Sequence, residues 1–239
     1  MGIPLWEARG PSESDAQPAE NAAASDDPSV AMAPPPAGAA PQGDVAAGLG
    51  WDALRARVGE CRRCPELAAN RSQTVFGVGS ECADWMIIGE APGAEEDRQG
   101  EPFVGRAGRL LNAMLLALGL RRQDVYIANI LKCRPPRNRD PRPEEAGACE
   151  PFLRRQIELV EPRVLLAVGR VAAQNLLQTD APVGRLRGRV HRFGERQLPL
   201  VVTYHPAFLL RSPEQKAKAW KDLLLAARAA QEDEREVGE

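Results

Sequence analysis

The sequence lacks any run of about 18 apolar residues, the length that a membrane-spanning helix needs. The first ten residues, MGIPLWEARG, also lack the basic and apolar regions of a secretory signal peptide. Histidine is scarce, with 2 residues in a chain of 239. We therefore expect a cytoplasmic protein without membrane association, in which histidine chemistry has only two candidate side chains.

Charge is unevenly distributed along the chain. Residues 1–60 contain 3 Arg and 9 Asp or Glu, whereas residues 61–231 contain 27 Lys or Arg and 19 Asp or Glu. The last eight residues are again mostly acidic. A basic body between acidic ends is typical of a protein with a polyanionic partner such as nucleic acid. A GC-rich genome that favours arginine would give the same bias, so charge alone leaves both explanations open.

Residues 1–50 are predicted to form a disordered tether with an apolar tip. Beyond residue 10 this segment is almost entirely Ala, Pro, Gly, Ser, Asp and Gln, which cannot bury enough surface to offset the entropy of ordering. We predict a folded domain over residues 51–231 and an acidic tail over residues 232–239. The tip, residues 1–6, is either a plain terminus or a peptide that docks on a replication or repair protein. Its three large apolar residues are Ile3, Leu5 and Trp6.

Four short apolar runs are predicted to be strands that are buried on both faces, as in a parallel sheet covered by helices. They span residues 85–89, 125–129, 164–168 and 198–204. Helices are predicted between and after them, at residues 110–118, 143–160, 170–177 and 212–230. The fold class is therefore α/β, a three-layer α/β/α sandwich with a central four-stranded, mainly parallel sheet.

Four of the five cysteines form a set that is typical of a metal centre. By number, four thiolates suit a structural zinc ion and a [4Fe–4S] cluster equally well. The wide spacing after the initial CxxC pair is unlike a zinc ribbon, which pairs two CxxC motifs, and this favours the cluster. We expect Cys82, the fifth cysteine, to be a small buried side chain. The predicted ligands are Cys61, Cys64, Cys133 and Cys149.

Polar residues follow three of the predicted strands, at the edge of the sheet where ligands bind in such folds. The first strand leads into an acidic turn, residues 89–97, which is either an acid–base or metal site or a solvated loop. Phe103 lies in the flexible loop that follows and could stack on a planar base. Asn129 ends the second strand, and its amide can both donate to and accept from the polar edge of such a base. His205 ends the fourth strand.

These motifs together resemble the family 4 uracil-DNA glycosylases, which are iron–sulfur members of the uracil-DNA glycosylase superfamily. The resemblance covers about residues 61–230. It rests on four motifs in order: GEAPG at residues 89–93, PFVGRAG at 102–108, N-x3-CRPP at 129–136 and HPA at 205–207, together with the four cysteines. Each motif is weak alone, and their combination is specific.

The resemblance implies an enzyme that flips uracil out of single- or double-stranded DNA and hydrolyses its N-glycosidic bond, leaving an abasic site. His205 would donate a hydrogen bond to the uracil O2 as negative charge develops there. Glu90 and Glu96 would hold or polarise the attacking water. The best-known uracil glycosylases place a water-activating Asp where this chain has Ala91, so the water would be activated weakly. Base contacts are assigned to Ala91, Phe103, Asn129 and His205.

Contacts with the DNA strand are predicted at two segments. The Leu209-Leu210-Arg211 segment that follows the HPA motif suits a wedge that fills the space left by the flipped base, with core packing as the alternative. Within it, Leu209 and Arg211 are the assigned DNA contacts. A basic loop suits phosphate groups, or is a solvated turn. The arginines of this loop are Arg185, Arg187, Arg189 and Arg192.

Two other classes of function are compatible with the sequence. An iron–sulfur DNA-binding adaptor would be recruited through the apolar tip, and an electron carrier would use a cluster that is easily reduced and oxidised. A related family traps a histidine of its own on the abasic sugar, using a basic insertion after the second motif. The corresponding segment here, residues 134–140, contains no histidine. We therefore expect a monomeric, monofunctional enzyme that turns over without a stable protein–DNA adduct.

Overall fold

A computed structural model describes residues 45–236 of the chain, with side chains through residue 232. The apolar tip, most of the predicted tether and most of the acidic tail lie outside the described residues. Residue 51, at which we predict the folded domain to begin, is the first residue of the first helix. Within the described range, no helix is both long enough and apolar enough to cross a membrane.

A six-stranded sheet forms the core, in the order β1-β3-β2-β4-β6-β5. The strands β2, β3, β4 and β6 are parallel to one another, and β1 and β5 pair antiparallel at the two edges. The strands are β1 (Val78–Gly79), β2 (Trp85–Gly89), β3 (Tyr126–Asn129), β4 (Val164–Val168), β5 (Val190–Phe193) and β6 (Leu198–Thr203).

Every residue of the three central strands, β2, β3 and β4, is buried. Successive side chains of a strand point to opposite faces of the sheet. In β2, Ile87 packs in one apolar cluster and the neighbouring Met86 and Ile88 pack in another. A strand that is apolar on both faces therefore requires a layer of helices on each side.

Nine α-helices and three short 3-10 helices complete the described part of the chain. Helices α4 and α9 supply apolar residues to one face of the sheet, and α5 and α6 supply the other face. The helices are α1 (Trp51–Glu60), α2 (Pro65–Asn70), α3 (Ala94–Gln99), α4 (Arg106–Ala117), α5 (Pro143–Val160), α6 (Arg170–Leu177), α7 (Val183–Leu186), α8 (Pro206–Arg211) and α9 (Lys216–Glu236). The predicted three-layer α/β/α sandwich is confirmed.

The sheet has two more strands than the four we predict. β1 contains only two residues, too few to produce a recognisable pattern. β5 alternates exposed and half-buried residues and lies in the arginine-rich segment that we interpret as a loop. Both additional strands lie at the edges, where burial on one face is enough.

The order of the parallel strands reverses between β2 and β4, which are neighbours but lead to crossovers in opposite directions. Ligands in open α/β sheets bind beyond the carboxyl ends of the strands at such a point. The topology therefore places a binding crevice where β2 ends at Gly89 and β4 ends at Val168.

Candidate functional site

A cavity of about 750 Å³ opens at the carboxyl ends of the parallel strands. The acidic turn after β2, the end of β3, the turn after β4 and the start of α8 all contribute to its walls. Six residues that we predict to act on the base or the water line it, namely Glu90, Ala91, Glu96, Phe103, Asn129 and His205. The structure thus brings together residues that are up to 115 positions apart along the chain.

Asn129 lies at the bottom of this cavity with only 2% of its surface exposed. Its Oδ1 atom is buried and has no hydrogen-bond partner, which is a costly state for a polar atom. The pairing of Gly89 with Asn129 in the sheet register places the asparagine beside the start of the acidic turn. A Cβ atom on Gly89 would lie 2.5 Å from Asn129 Oδ1, so the absence of a side chain there keeps the amide accessible.

Phe103 forms one wall of the cavity and is 6% exposed. Its backbone has a φ of 54°, in the left-handed region that a phenylalanine rarely adopts. Arg122 holds this conformation by donating hydrogen bonds to the carbonyl oxygens of Pro102 and Phe103. The Phe103 ring is stacked against the His205 ring, with centroids 5.6 Å apart and ring planes inclined by 28°. A flat, rigid wall of this kind suits a planar ligand.

His205 follows β6 and is the N-cap of α8. The backbone N–H of Ala207 donates to His205 Nδ1 at 3.1 Å, so the remaining ring proton is on Nε2. Burial lowers the pKa of His205 to about 4, the charge of Arg211 adds to this shift, and Glu96 opposes it. The imidazole is therefore neutral at physiological pH and has one N–H to donate.

Glu90 is the half-buried carboxylate of the cavity. Burial raises the pKa of Glu90 to about 6, and the charge of Asp140 adds to this rise while Arg170 opposes it. Asp140 and Arg170 form an ion pair with each other across the loop that follows β3 and the start of α6. A carboxylate that changes protonation near pH 6 can accept a proton under physiological conditions.

Glu96 lines the same cavity, but its carboxylate is bonded to the backbone. Oε1 accepts hydrogen bonds from the N–H groups of Val104 and Gly105 at 3.0 and 3.2 Å, and Oε2 accepts one from Gly93 at 3.1 Å. These bonds connect the acidic turn with the loop that carries Phe103. The contacts favour a role in holding the two loops together over a direct contact with water.

The segment after the HPA motif differs from the prediction in one residue. Leu209 is 1% exposed, because it lies on the face of α8 that packs against the rest of the protein. Leu210, the next residue, is 38% exposed. Arg211 lines the cavity. Of the two leucines in the predicted wedge segment, α8 therefore exposes Leu210 and buries Leu209, the one that we assign to DNA.

The predicted basic loop is also divided by the structure. Arg187 forms a two-pronged ion pair with the buried Asp222, at 2.8 and 2.9 Å, and its guanidinium lies over the Tyr204 ring at 5.5 Å. Its side chain is only 15% exposed and is directed inward, toward Asp222 and Tyr204. Arg189 is exposed, as a phosphate contact requires.

The four predicted ligand cysteines lie in and around one apolar cluster, which we call the four-cysteine region. Cys61 and Cys64 flank the turn between α1 and α2, Cys133 follows β3, and Cys149 lies in α5. Their thiols are close enough to affect one another. Burial raises the pKa of Cys64 to about 11, and the nearby Cys133 and Cys61 add to the rise.

Hydrogen-bond donors point at two of these sulfur atoms. Arg71 Nη1 donates to Cys133 Sγ at 2.7 Å, and the backbone N–H of Lys132 donates to Cys149 Sγ at 3.3 Å. Among the described residues, no group of three or more His, Cys, Asp or Glu side chains is arranged as the ligands of a single metal ion. Cys82 is exposed, contrary to the prediction, because it lies in the turn before β2.

The third parallel strand, β4, also contributes to the cavity, through a residue that is not among the predicted site residues. Gly169 follows β4 with a φ of +97°, and a Cβ atom there would lie 3.0 Å from His205 Cβ. Arg170 and Asp140, which set the charge around Glu90, were missed as well. Gly169 and Arg170 could have been found from the sequence. Ligands bind beyond the carboxyl ends of parallel strands, and this rule, which selects Glu90, Asn129 and His205, applies equally to the end of β4.

Comparison with known proteins agrees with this geometry. A model of the uracil DNA glycosylase superfamily matches residues 76–225. The type-4 uracil-DNA glycosylase of Archaeoglobus fulgidus is 46% identical over 169 residues, covering 68% of this chain and 84% of the relative. That of Pyrobaculum aerophilum is 42% identical over 178 residues, covering 72% and 90%. The type-5 enzyme of Thermus thermophilus is 34% identical over 148 residues, covering 49% and 67%. The chain therefore belongs to the uracil DNA glycosylase superfamily and, within it, to the type-4 uracil-DNA glycosylases.

Proposed function

We propose that this protein removes uracil from single- or double-stranded DNA by hydrolysing the N-glycosidic bond, and that it leaves an abasic site. The observation that carries this proposal is the unpartnered, buried Oδ1 atom of Asn129 in a cavity that also contains an aromatic wall and a neutral histidine. A buried acceptor without a partner is explained if a ligand supplies the donor. Uracil supplies it through its N3–H group.

Asn129 selects the base by its pattern of donors and acceptors. Its Oδ1 atom accepts from N3–H of uracil and its Nδ2 group donates to O4. Cytosine has an acceptor at N3 and an amino group at C4, so both contacts would be lost. Phe103 stacks on the flipped base, and the backbone of Ala91 adds a further contact. These contacts offset the cost of unstacking the nucleotide, which is on the order of a few kcal/mol.

His205 stabilises the leaving group. As the bond between C1′ and N1 breaks, its electron pair moves into the uracil ring and negative charge develops at O2. The N–H at Nε2 is the available donor, because Nδ1 already accepts from Ala207. A neutral imidazole is a weak acid, so it stabilises the charge on O2 by donating a hydrogen bond and keeps its own proton. Donors aimed at developing charge typically contribute about 3 kcal/mol.

Glu90 positions the water that attacks C1′. The water oxygen bonds to C1′ and a water proton passes to the Glu90 carboxylate, which its raised pKa favours. Glu96 supports this arrangement from behind by fixing both loops through its three backbone contacts. The proton on Glu90 then passes to solvent, and the departing uracil anion takes up a proton from solvent. Free uracil is released and the protein is left unmodified, so the enzyme turns over as a monofunctional glycosylase.

Residues around the opening of the cavity contact the DNA strand. Arg211 is available for a phosphate, and Leu210 replaces Leu209 as the wedge because it is the exposed residue of the pair. Arg189 makes a further phosphate contact from the exposed side of the basic segment. Arg187 supports Tyr204 from within and does not contact DNA in this proposal.

The cofactor is a [4Fe–4S] cluster held by the four-cysteine region. The donor set fits, because four thiols border one apolar cluster and two sulfurs already receive hydrogen bonds suited to thiolates. When bound, the cluster supplies a crosslink between segments that are distant in the sequence. Measuring both iron and zinc in the purified protein distinguishes the cluster from a structural zinc ion.

The protein acts in the cytoplasm as a monomer, and residues 1–6 dock on a replication or repair protein. The tip lies outside the described residues, so its apolar composition is the support for this part of the proposal. A pull-down compares the full chain with a chain that lacks residues 1–10. Equal recovery of replication and repair proteins from both would disprove the docking role.

The decisive experiment is cleavage of an oligonucleotide that contains one uracil. The protein is incubated with the labelled strand, followed by alkali, which breaks DNA at abasic sites. We expect breakage at uracil and none in the matched thymine or cytosine strands. A protein that binds the strand but leaves it intact would be an adaptor, and a stable adduct would contradict turnover.

A further inference from the structure

Arg71 connects two parts of the four-cysteine region. It is the residue that follows α2, and its guanidinium group reaches Cys133 on one side and Cys61 on the other. Nη1 donates to Cys133 Sγ at 2.7 Å, and Nη2 donates to the carbonyl oxygen of Cys61 at 2.7 Å. One side chain therefore joins the segment that carries the CxxC pair to the loop that follows β3.

The acceptors of Arg71 are unusual for an arginine. Planar guanidinium groups in proteins typically pair with carboxylates or phosphates. The side-chain hydrogen bonds described for Arg71 go to a sulfur atom and a carbonyl oxygen. A neutral thiol is a weak acceptor. A cysteine that ligates a metal is a thiolate and carries negative charge, which makes it a fitting partner for a cation.

The position of Arg71 is fixed by its neighbours. Its own backbone N–H donates to the carbonyl oxygen of Leu67, and this hydrogen bond caps the C-terminus of α2. The N–H of the next residue, Ser72, donates to both carboxylate oxygens of the buried Asp97 at 3.0 Å. The backbone is therefore anchored on both sides, which fixes the point from which the Arg71 side chain reaches the sulfur.

We propose that Arg71 is a positioning residue for the iron–sulfur cluster, which it retains by bonding a ligand thiolate and by fixing the Cys61 segment against Cys133. This inference rests on the cofactor assignment made under the proposed function. Outer-shell groups of this kind orient ligands, and their loss typically lowers metal affinity about 10–100-fold. Arg71 also places a positive charge beside a negatively charged ligand set.

The test compares Arg71→Gln and Arg71→Lys with the unchanged protein, all full-length and purified without oxygen. The measurements are iron per chain, visible absorbance of the cluster, and the rate at which iron is lost to a chelator in air. We expect Arg71→Gln to lose iron about tenfold faster. Arg71→Lys keeps the charge but cannot make both hydrogen bonds, so its rate of iron loss should lie between those of the unchanged protein and Arg71→Gln.

Arg62→Gln is the matched control. Arg62 is exposed and contacts the same carbonyl oxygen of Cys61 at 3.2 Å. Its replacement changes the net charge by the same amount as Arg71→Gln and leaves the contact to Cys133 Sγ intact. We expect iron loss at the rate of the unchanged protein.

The reduction potential of the cluster gives a second, independent measurement. Removing a cation beside a ligand thiolate should lower the midpoint potential in Arg71→Gln and leave it unchanged in Arg62→Gln. A folded Arg71→Gln protein with unchanged iron loss and unchanged potential would overturn the inference. If Arg71→Gln does not fold, the rate of iron loss from Arg71→Lys decides the question, because lysine keeps the charge and alters only the hydrogen bonds; a rate equal to that of the unchanged protein would overturn the inference. An unchanged protein without iron would instead refute the cofactor assignment.

Discussion

The cavity at the strand ends and the four-cysteine region are built in opposite ways. In the cavity, Asn129 Oδ1 is buried without a partner, and the His205 side chain has only its Nδ1 atom occupied by the protein. In the four-cysteine region, Cys133 and Cys149 already receive hydrogen bonds from the protein. The first arrangement suits a ligand that enters and leaves, and the second suits a group that stays.

The two regions are also connected. Lys132 is 1% exposed, and its Nζ atom donates to the carbonyl oxygen of Asn129 at 2.9 Å and to Gln156 at 2.6 Å. The backbone N–H of the same lysine bonds to Cys149 Sγ. One residue, Lys132, therefore contacts both the backbone of Asn129 and a sulfur of the four-cysteine region, whereas His205 follows a different strand, β6, as the N-cap of α8.

The largest effect is expected at His205, because the hydrogen bond proposed for its Nε2–H strengthens as charge develops on the leaving uracil. His205→Ala should lower kcat for excision by about a hundredfold or more. Single-turnover kinetics on a uracil strand measure this loss. His191→Ala is the control, because His191 bonds the carbonyl oxygen of Leu186 away from the cavity. Similar losses in both variants would contradict the assignment.

Asn129→Ala should reduce excision at least about tenfold, because it removes a specific hydrogen-bonding pair from a buried site. The loss should appear also as weaker inhibition by free uracil, which reports base binding without the chemical step. This distinguishes base reading from stabilisation of the leaving group, since His205→Ala should affect kcat more than uracil binding. Unchanged inhibition by uracil would show that the asparagine does not read the base.

Glu90→Gln should also cost at least about tenfold, and it should change the pH profile. Excision by the unchanged protein should fall below about pH 6, where Glu90 becomes protonated, and this fall should disappear in Glu90→Gln. Asp140 raises the pKa of Glu90, so Asp140→Asn should move the fall to lower pH. Arg170 opposes that rise, so Arg170→Gln should move it to higher pH. A profile that is the same in all variants would exclude Glu90 as the titrating group.

In the four-cysteine region the effect should appear in metal content and stability before it appears in chemistry. Cys149→Ser should lose iron and lower the melting temperature by about 5 °C or more, since about 2–4 °C corresponds to 1 kcal/mol in a domain of this size. Cys82→Ser is the matched control, because Cys82 is exposed and outside the cysteine set. Iron content that is unaffected by Cys149→Ser would remove this residue from the ligand set.

The smallest effect is expected at the DNA-binding surface. Arg189→Gln should weaken binding to uracil-containing and normal DNA alike and reduce the salt slope by about one. Arg187→Gln should instead destabilise the fold, because it leaves the buried Asp222 without its ion-pair partner. Binding at several salt concentrations and thermal melting separate the two. Equal reductions in salt slope would mean that both arginines contact phosphate.

Much of the fold could be predicted from the sequence. The four parallel strands appear in the sequence as short continuous apolar runs, and the helices α5 and α6 appear as longer segments between and after these runs. The edge strands β1 and β5 were missed, because one is too short and the other has a mixed pattern. The predictions for Leu209 and Arg187 differ from the structure for a related reason. Neighbouring residues of a helix or loop face different ways, and sequence position alone does not say which one faces outward.

The sequence by itself determined the class of fold, the location of the polar residues at strand ends and the set of four cysteines, because these depend on residue type and order. The tertiary structure alone decided which polar groups have partners. Asn129 Oδ1 is left free for a base, the Glu96 carboxylate is occupied by backbone N–H groups, and Arg71 is directed at a sulfur atom. Partnership depends on distances between segments far apart in the chain, which only packing sets.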